Sequence, residues 1–207
     1  ATYNYAQRYF IEINGAYNGS EKFGPNNRFA FFPSFSLGWM ISEEKFMKGL
    51  KFLDMLKLRG SWGRIGDDNV GGRWLYQDSW GYQSSNTYLG LIPTATPYSY
   101  YRITSLGNEN ISWETVEKRN IGIDYSFFKG LIAGSVDIFS DKRKDILVGG
   151  SSRSIPSFFG ATAPTANLGS TKSHGYELEL RLNHVFANKM RLWANTNYTH
   201  AVNEVIF

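Results

Sequence analysis

Three kinds of side chain in this sequence have chemistry to offer, and spacing decides what each could do. The histidines are His174, His184 and His200, and no H-x-x-x-H, H-E-x-x-H or G-x-S-x-G run occurs. Neither a helical two-histidine metal site nor an activated serine is therefore encoded. Gly66-Asp67-Asp68-Asn69 puts three oxygen-bearing side chains in a row. It could wrap Ca²⁺, but it lacks the EF-hand spacing and its bidentate Glu, so an ordinary turn is expected. Cysteine is absent, which excludes disulfides and thiolate ligands.

The remaining chemistry is recognition. Trp74, Tyr76, Trp80, Tyr82, Tyr88, Tyr98, Tyr100 and Tyr101 crowd one stretch between Ile65 and Ser112. Flat amphipathic rings can stack on sugars, pack against a partner protein, or pack on one another. A second set alternates with apolar residues: Asp124, Glu177, Glu179, Arg181, Asn183, Asn195 and Asn197. Such a set suits the wall of a water-filled channel. No catalytic residue, cofactor or metal is expected.

Both sets must be held by long strands. From 29 to 41 one parity reads Phe, Phe, Pro, Phe, Leu, Trp, Ile, while the other is smaller and more polar. Side chains alternate faces along a strand, so one face is oily. The pattern lasts longer than ordinary strands do and is long enough to cross a bilayer at a tilt. Seven such strands are predicted, over 5–17, 28–41, 55–64, 113–127, 131–144, 174–186 and 190–203. Tight turns are expected at Phe128-Lys129-Gly130 and Ala187-Asn188-Lys189, and long connections at 18–27, 65–112 and 147–173. Short periplasmic turns and long outer loops characterise outer-membrane barrels. Residues 42–54 lie on the short-turn side, where Ser42, Glu43 and Glu44 followed by Phe46, Met47 and Leu50 predict a helix of one to two turns. Tyr17, Phe29, Tyr176 and Tyr198 mark an outer aromatic girdle. Tyr9, Trp39, Tyr125 and Phe127 mark an inner one.

Composition agrees. With 42% hydrophobic and 19% charged residues the chain is too apolar to be disordered. No apolar run is long enough for a transmembrane helix. A net charge of +4 from scattered Lys and Arg does not point to nucleic acid. The expected fold is all-β: an antiparallel transmembrane β-barrel segment. Seven strands cannot close such a barrel, so residues 1–207 read as an interior piece of one barrel domain that needs the remaining strands.

Several stretches resemble a known family. Asn18-Gly19-Ser20, then Lys22-Phe23-Gly24-Pro25-Asn26-Asn27 and Arg28-Phe29-Ala30-Phe31-Phe32-Pro33-Ser34, resemble the R-x-D-G-S-S-R-F-G … G-F-F-P-S signature of SusC/RagA-type TonB-dependent outer-membrane transporters. Trp39-Met40-Ile41-Ser42-Glu43-Glu44 is similar to their W-x-I-S-E-E, and Leu56-Lys57-Leu58-Arg59-Gly60-Ser61-Trp62-Gly63-Arg64-Ile65-Gly66 to L-K-L-R-x-S-Y-G-x-x-G. Asn110-Ile111-Ser112-Trp113-Glu114, Asn120-Ile121-Gly122-Ile123-Asp124, and Asn167-Leu168-Gly169 with Gly175-Tyr176-Glu177 resemble N-L-x-W-E, N-x-G-x-D and N-x-G … G-x-E. Asn18 and Trp62 depart from the commoner Asp and Tyr.

The resemblance implies a 22-stranded barrel with a plug, a SusD-like surface lipoprotein as lid, and the TonB complex as energy source. It also implies residence in the lipid of a Gram-negative, Bacteroidetes-like outer membrane, and import of large nutrients, oligosaccharides or peptides, without enzymatic chemistry. Two other readings make different predictions. A passive porin or another barrel type would lack a plug and TonB box upstream. A secreted soluble β-sandwich that binds glycans would need no detergent.

Overall fold

The computed structural model describes the backbone of residues 1–89 and 96–206, and their side chains except at 84–89, 96–98 and 157. In chain order the strands are β1 (Thr2–Tyr5), β2 (Tyr9–Gly19), β3 (Phe29–Met40), β4 (Leu53–Asp67), β5 (Ser79–Leu89), β6 (Thr96–Ser105), β7 (Glu114–Phe127), β8 (Ile132–Val148), β9 (Ala166–Val185) and β10 (Arg191–Val205). Eight form one antiparallel sheet in the order β1-β2-β3-β4-β7-β8-β9-β10, open at both edges, and β5 and β6 form a separate hairpin.

The sheet therefore has eight strands where alternation predicts seven. The stretch expected as one strand over 5–17 is broken by a three-residue connection, Ala6-Gln7-Arg8, whose first two residues are both at φ 53°. Arg8 N–H donates to the Tyr5 carbonyl at 3.0 Å. Backbone at positive φ favours Gly and Asn, and nothing in Ala-Gln announces it. Left-handed backbone costs an L-residue about 1–2 kcal/mol. Ala6→Asn together with Gln7→Gly is expected to stabilise the assembled receptor by about 1 kcal/mol or more, read as a rise in its thermal unfolding midpoint in detergent.

Register settles which residues share a face. One hydrogen-bonded row runs Tyr9, Trp39, Leu58, Ile123, Val136, Leu178, Tyr198 across seven strands. A neighbouring row runs Phe10, Gly38, Arg59, Gly122, Asp137, Glu177, Thr199. Adjacent residues of a strand point to opposite sides, so the first row lies on an apolar face and the second on a polar one. The Phe31, Phe35, Ile123, Val136, Leu178 and Leu180 set and the Asp124, Glu179 and Asn195 set stand on opposite faces, as their parity requires.

The two ends of the sheet differ. At one end lie the turns at Ala6-Gln7, at 128–131 and at 186–190, together with the β3–β4 connection. In the last turn Phe186 N–H reaches the Met190 carbonyl at 2.9 Å and Met190 N–H the Asn188 side chain at 3.0 Å. The predicted helix over 42–54 is instead a single 3-10 turn, Ile41–Glu43, without a side-chain cap. Successive i to i+3 bonds from Met47 to Glu44, Leu50 to Met47 and Leu53 to Leu50 follow it. Phe46 is exposed, so the apolar stripe finds no surface to bury against and tertiary support for a helix is missing.

At the opposite end the long connections gather into a small core of Phe23, Phe32, Val70, Ile111 and Trp113, backed by Ala30, Leu75 and Leu147. Trp113 lies 5.2 Å from the Phe23 ring and 5.4 Å from that of Phe32. Gly66 is required there, because a Cβ would collide with the Phe32 ring. The expected long connection over 65–112 is thus mostly structured. β4 runs on to Asp67, Leu75 joins the core, and β5–β6 rises from it. β8 and β9 likewise extend beyond their predicted ends at 144 and 174.

Candidate functional site

Arg59 organises the polar face. Its Nε donates to Asp124 Oδ1 at 3.1 Å, its Nη1 to Asn120 Oδ1 at 3.3 Å and its Nη2 to Asp137 Oδ2 at 2.6 Å. One guanidinium therefore ties β4 to β7 and β8. Gly122 is the seat for it, since a Cβ there would stand 2.7 Å from Arg59 Cζ. The Asp137 side chain is only 9% exposed and needs this partner. Farther along the face, Arg181 Nε donates to Glu179 at 3.1 Å and Arg191 Nε to Asn183 Oδ1 at 2.8 Å. Asn195 registers with Arg181, Asn197 with Glu179, and Glu177 with Asp137. All seven expected lining residues thus fall on one face. Parity alone groups them on that face. Arg59 and Asp137 share that parity, but their meeting depends on register, which parity does not reveal.

Asp67, Asp68 and Asn69 form a loop tied to its neighbours by hydrogen bonds and an ion pair. Asp67 pairs with Arg143 at 2.9 Å and accepts Asn69 N–H, while Asp68 accepts Ser20 Oγ–H at 2.8 Å. Arg143 also holds Glu114 at 3.0 Å, and Glu114 accepts Leu147 N–H at 2.9 Å. Asn167 donates to the Ser112 and Asp145 carbonyls and accepts Ser112 N–H. Among the described residues no group of three His, Cys, Asp or Glu could hold a metal ion. The motif residues Ser20, Phe23, Phe32, Ile111, Trp113 and Asn167 therefore meet at the base of the long connections, where they hold backbone.

The aromatic cluster divides. Trp80 pairs with Ile103 and Tyr82 with Tyr101, so these four share one face of the hairpin, with the two tyrosine rings 5.3 Å apart. Tyr100 pairs with Gln83 on the other face and is half-buried. Tyr76 is half-buried at the hairpin root near Gly24, and Trp74 is exposed at a turn with φ 56°. The side chains of Tyr88 and Tyr98 lie outside the described residues.

At the short-turn end, Glu44 gathers Tyr9 and Trp39, two of the rings expected in the inner girdle. Its Oε1 accepts from Tyr9 Oη at 2.6 Å and Trp39 Nε1 at 3.1 Å, and its Oε2 lies 3.4 Å from Arg8. The Tyr9 hydrogen bond first, then that of Trp39, hold its carboxyl below the usual glutamate range. A depressed folded value means that this contribution is present above the ordinary pKa of about 4.3 and is lost as pH falls through the folded value. Glu44→Gln is expected to lower stability at neutral pH and to flatten its decline on acidification, read from thermal unfolding across that range.

A sheet of long antiparallel strands, apolar on one face and charged on the other, with tight turns at one end and long connections at the other, is the wall of a transmembrane β-barrel. The family model "TonB dependent receptor-like, beta-barrel" matches residues 1–206, and the chain belongs to that family of outer-membrane barrels. TonB-dependent receptor SusC of Bacteroides thetaiotaomicron is 33% identical over 204 residues, which cover 98% of this chain and 20% of that protein. TonB-dependent receptor P39 of Formosa agariphila is 32% identical over 207 residues, 99% of this chain and 18% of the relative. The RagAB peptide importer in its "open-open" state superposes with a TM-score of 0.83 at 23% identity, over 99% of this chain and 21% of that one. At that identity the likeness concerns the fold. This chain spans about a fifth of the length of the relatives it matches. The family is one of receptors and transporters rather than enzymes.

Proposed function

We propose that this chain is part of the wall of an energised outer-membrane importer of large nutrients, oligosaccharides or peptides, in a Bacteroidetes-type bacterium. The observation that carries the reading is the two-faced sheet. Its apolar rows suit lipid, and its Arg59, Asp124, Glu177, Glu179, Arg181, Asn183, Asn195 and Asn197 face suits a water-filled lumen around a plug. The remaining strands of the barrel supply partners for the open edges of β1 and β10. The long-connection end then faces the cell exterior, where a SusD-like lipoprotein would sit as lid, while the TonB complex works from the periplasm.

Uptake of a labelled nutrient by cells carrying the full-length receptor tests this. Transport should collapse in a TonB-deficient strain. Uptake that persists without TonB would make the protein a passive porin instead.

A further inference from the structure

The geometry points to the β3–β4 connection, residues 44–53, as an anchor that lies in the interface of the periplasmic leaflet and binds its phospholipids. The connection leaves and rejoins the wall on the apolar side. At its start Glu44 is held by Tyr9 and Trp39, which belong to the apolar row. At its end the Phe52 ring stacks on Phe127 at 6.3 Å and lies 6.2 Å from Phe128. Phe128 N–H donates to the Phe52 carbonyl at 2.8 Å. Phe127 registers with Ile132, and Ile132 with Leu182, so Phe127 too stands on the apolar face. A connection tied to that face at both ends is set against whatever covers the face, not beneath the lumen.

Its side chains sort by kind. Three turns follow one another, closed by the bonds from Met47 to Glu44, Leu50 to Met47 and Leu53 to Leu50. Lys45, Lys48 and Lys51 each take the second position of a turn, and Phe46 and Phe52 take the third position of the first and last. A repeat of three residues brings like positions to one side. Phe46, Leu50 and Phe52 are 69%, 39% and 47% exposed, and Phe128 beside them is 55% exposed. The three lysines are exposed as well. Among the described residues none of these lysines is in an ion pair. Glu44 is taken up by Arg8, Tyr9 and Trp39, and Asp54 accepts Gly130 N–H at 2.9 Å. Glu43 is the remaining carboxylate of the stretch.

Charge and continuity select the occupant. An element with lysines on one side and phenylalanine and leucine on the other settles at a membrane interface, rings toward the acyl chains and ammonium groups toward phosphate. The apolar rows run into Phe127, and through it into Phe52, without a break. The surface that this stretch does not find within the protein is thus the leaflet at the short-turn end. The anchor rests on the apolar face meeting lipid, as in the proposed barrel wall, and on nothing about the cargo.

The test uses the full-length receptor, its cysteines elsewhere replaced, in vesicles of phosphatidylethanolamine and phosphatidylglycerol. A nitroxide is attached in turn at Phe46→Cys, Lys48→Cys, Leu178→Cys and Asn188→Cys. Its collisions with oxygen, which concentrates in hydrocarbon, are compared with those of a water-soluble nickel chelate. Leu178 reports lipid, and the tight turn at Asn188 reports water. The label at 46 should follow that at 178, severalfold richer in oxygen contacts than that at 188, and the label at 48 should fall between. A label at 46 as open to the chelate as that at 188 overturns the anchor. So does one shielded from both reagents, which would make the stretch a protein contact. A label at 178 that meets the chelate overturns the wall reading as well; one that stays with oxygen while 46 does not confines the failure to the anchor. The triple variant Lys45→Gln, Lys48→Gln, Lys51→Gln should still fold and should carry at least about fivefold less phosphatidylglycerol into mild detergent. Arginine at the same three positions should carry as much as wild type. Equal lipid on the glutamine variant overturns the phosphate contact.

Discussion

Leu180→Arg in the full-length receptor should yield little or no folded barrel, whereas Glu179→Arg, one residue away, should assemble like wild type. Leu180 registers with Gly134 on one side and Thr196 on the other, in the apolar face of β9. It stands about halfway along the part of the strand that would cross the bilayer. A guanidinium at that depth costs roughly 2–4 kcal/mol on a lipid-facing site. That is a large share of the stability of an ordinary domain. Glu179 points to the other face, beside Arg181 and Asn197, where water can solvate a new cation. The measurement is the heat-modifiable band of the folded barrel on unheated gels, with surface labelling of cells. Equal folded bands for the two variants would reverse or erase the assignment of faces.

Arg59→Leu carries the second large effect. It leaves the carboxylates of Asp124 and Asp137 without their shared cation, and Asp137 is almost fully covered. Arg59 is about a third exposed, so the loss is smaller than for a fully buried pair, about 1–3 kcal/mol, because Asp137 keeps little water of its own. The double variant Arg59→Leu, Asp137→Leu should recover part of that loss, since the most deeply covered carboxylate is then gone along with its cation. Unfolding in urea, compared across wild type, both single variants and the double, gives the coupling directly. Additive losses would mean that Arg59 acts through packing over Gly122 rather than through charge.

How much of this is legible beforehand follows from what a sequence encodes locally. The faces of β3, β7 and β9 are readable because side-chain alternation has a period of two wherever one face is apolar. The turn at Ala6-Gln7 is not, because its residues carry no turn chemistry and the tertiary sheet imposes their left-handed backbone. β5–β6 escapes notice because Trp80 and Tyr82 read first as a cluster of rings, although they alternate with Gly81 and Gln83. The Arg59 site needs register among β4, β7 and β8, strands separated by a connection of dozens of residues. Motif resemblance points to Phe23, Phe32, Ile111, Trp113 and Asn167 individually. It does not disclose that they meet. Glu44 reads as part of a helix's first turn, while its partners are the two girdle rings of Tyr9 and Trp39.

The row from Tyr9 to Tyr198 has a geometric consequence. Tyr9 is the first residue of β2, while Tyr198 lies seven residues past Arg191, the first of β10. The row climbs those positions over six strand-to-strand steps. At about 3.3 Å per residue and 4.8 Å per step, that slope corresponds to strands leaning roughly 40° from the barrel axis. A hydrogen-bonded row is therefore a screw thread wound up the wall, and contours of equal depth cut across it. Tyr9 and Tyr198, expected near the inner and outer membrane boundaries, belong to the same thread. A charge moved along that thread, from strand to strand, would sink into the hydrocarbon and re-emerge on the other side without ever changing its hydrogen-bonded row.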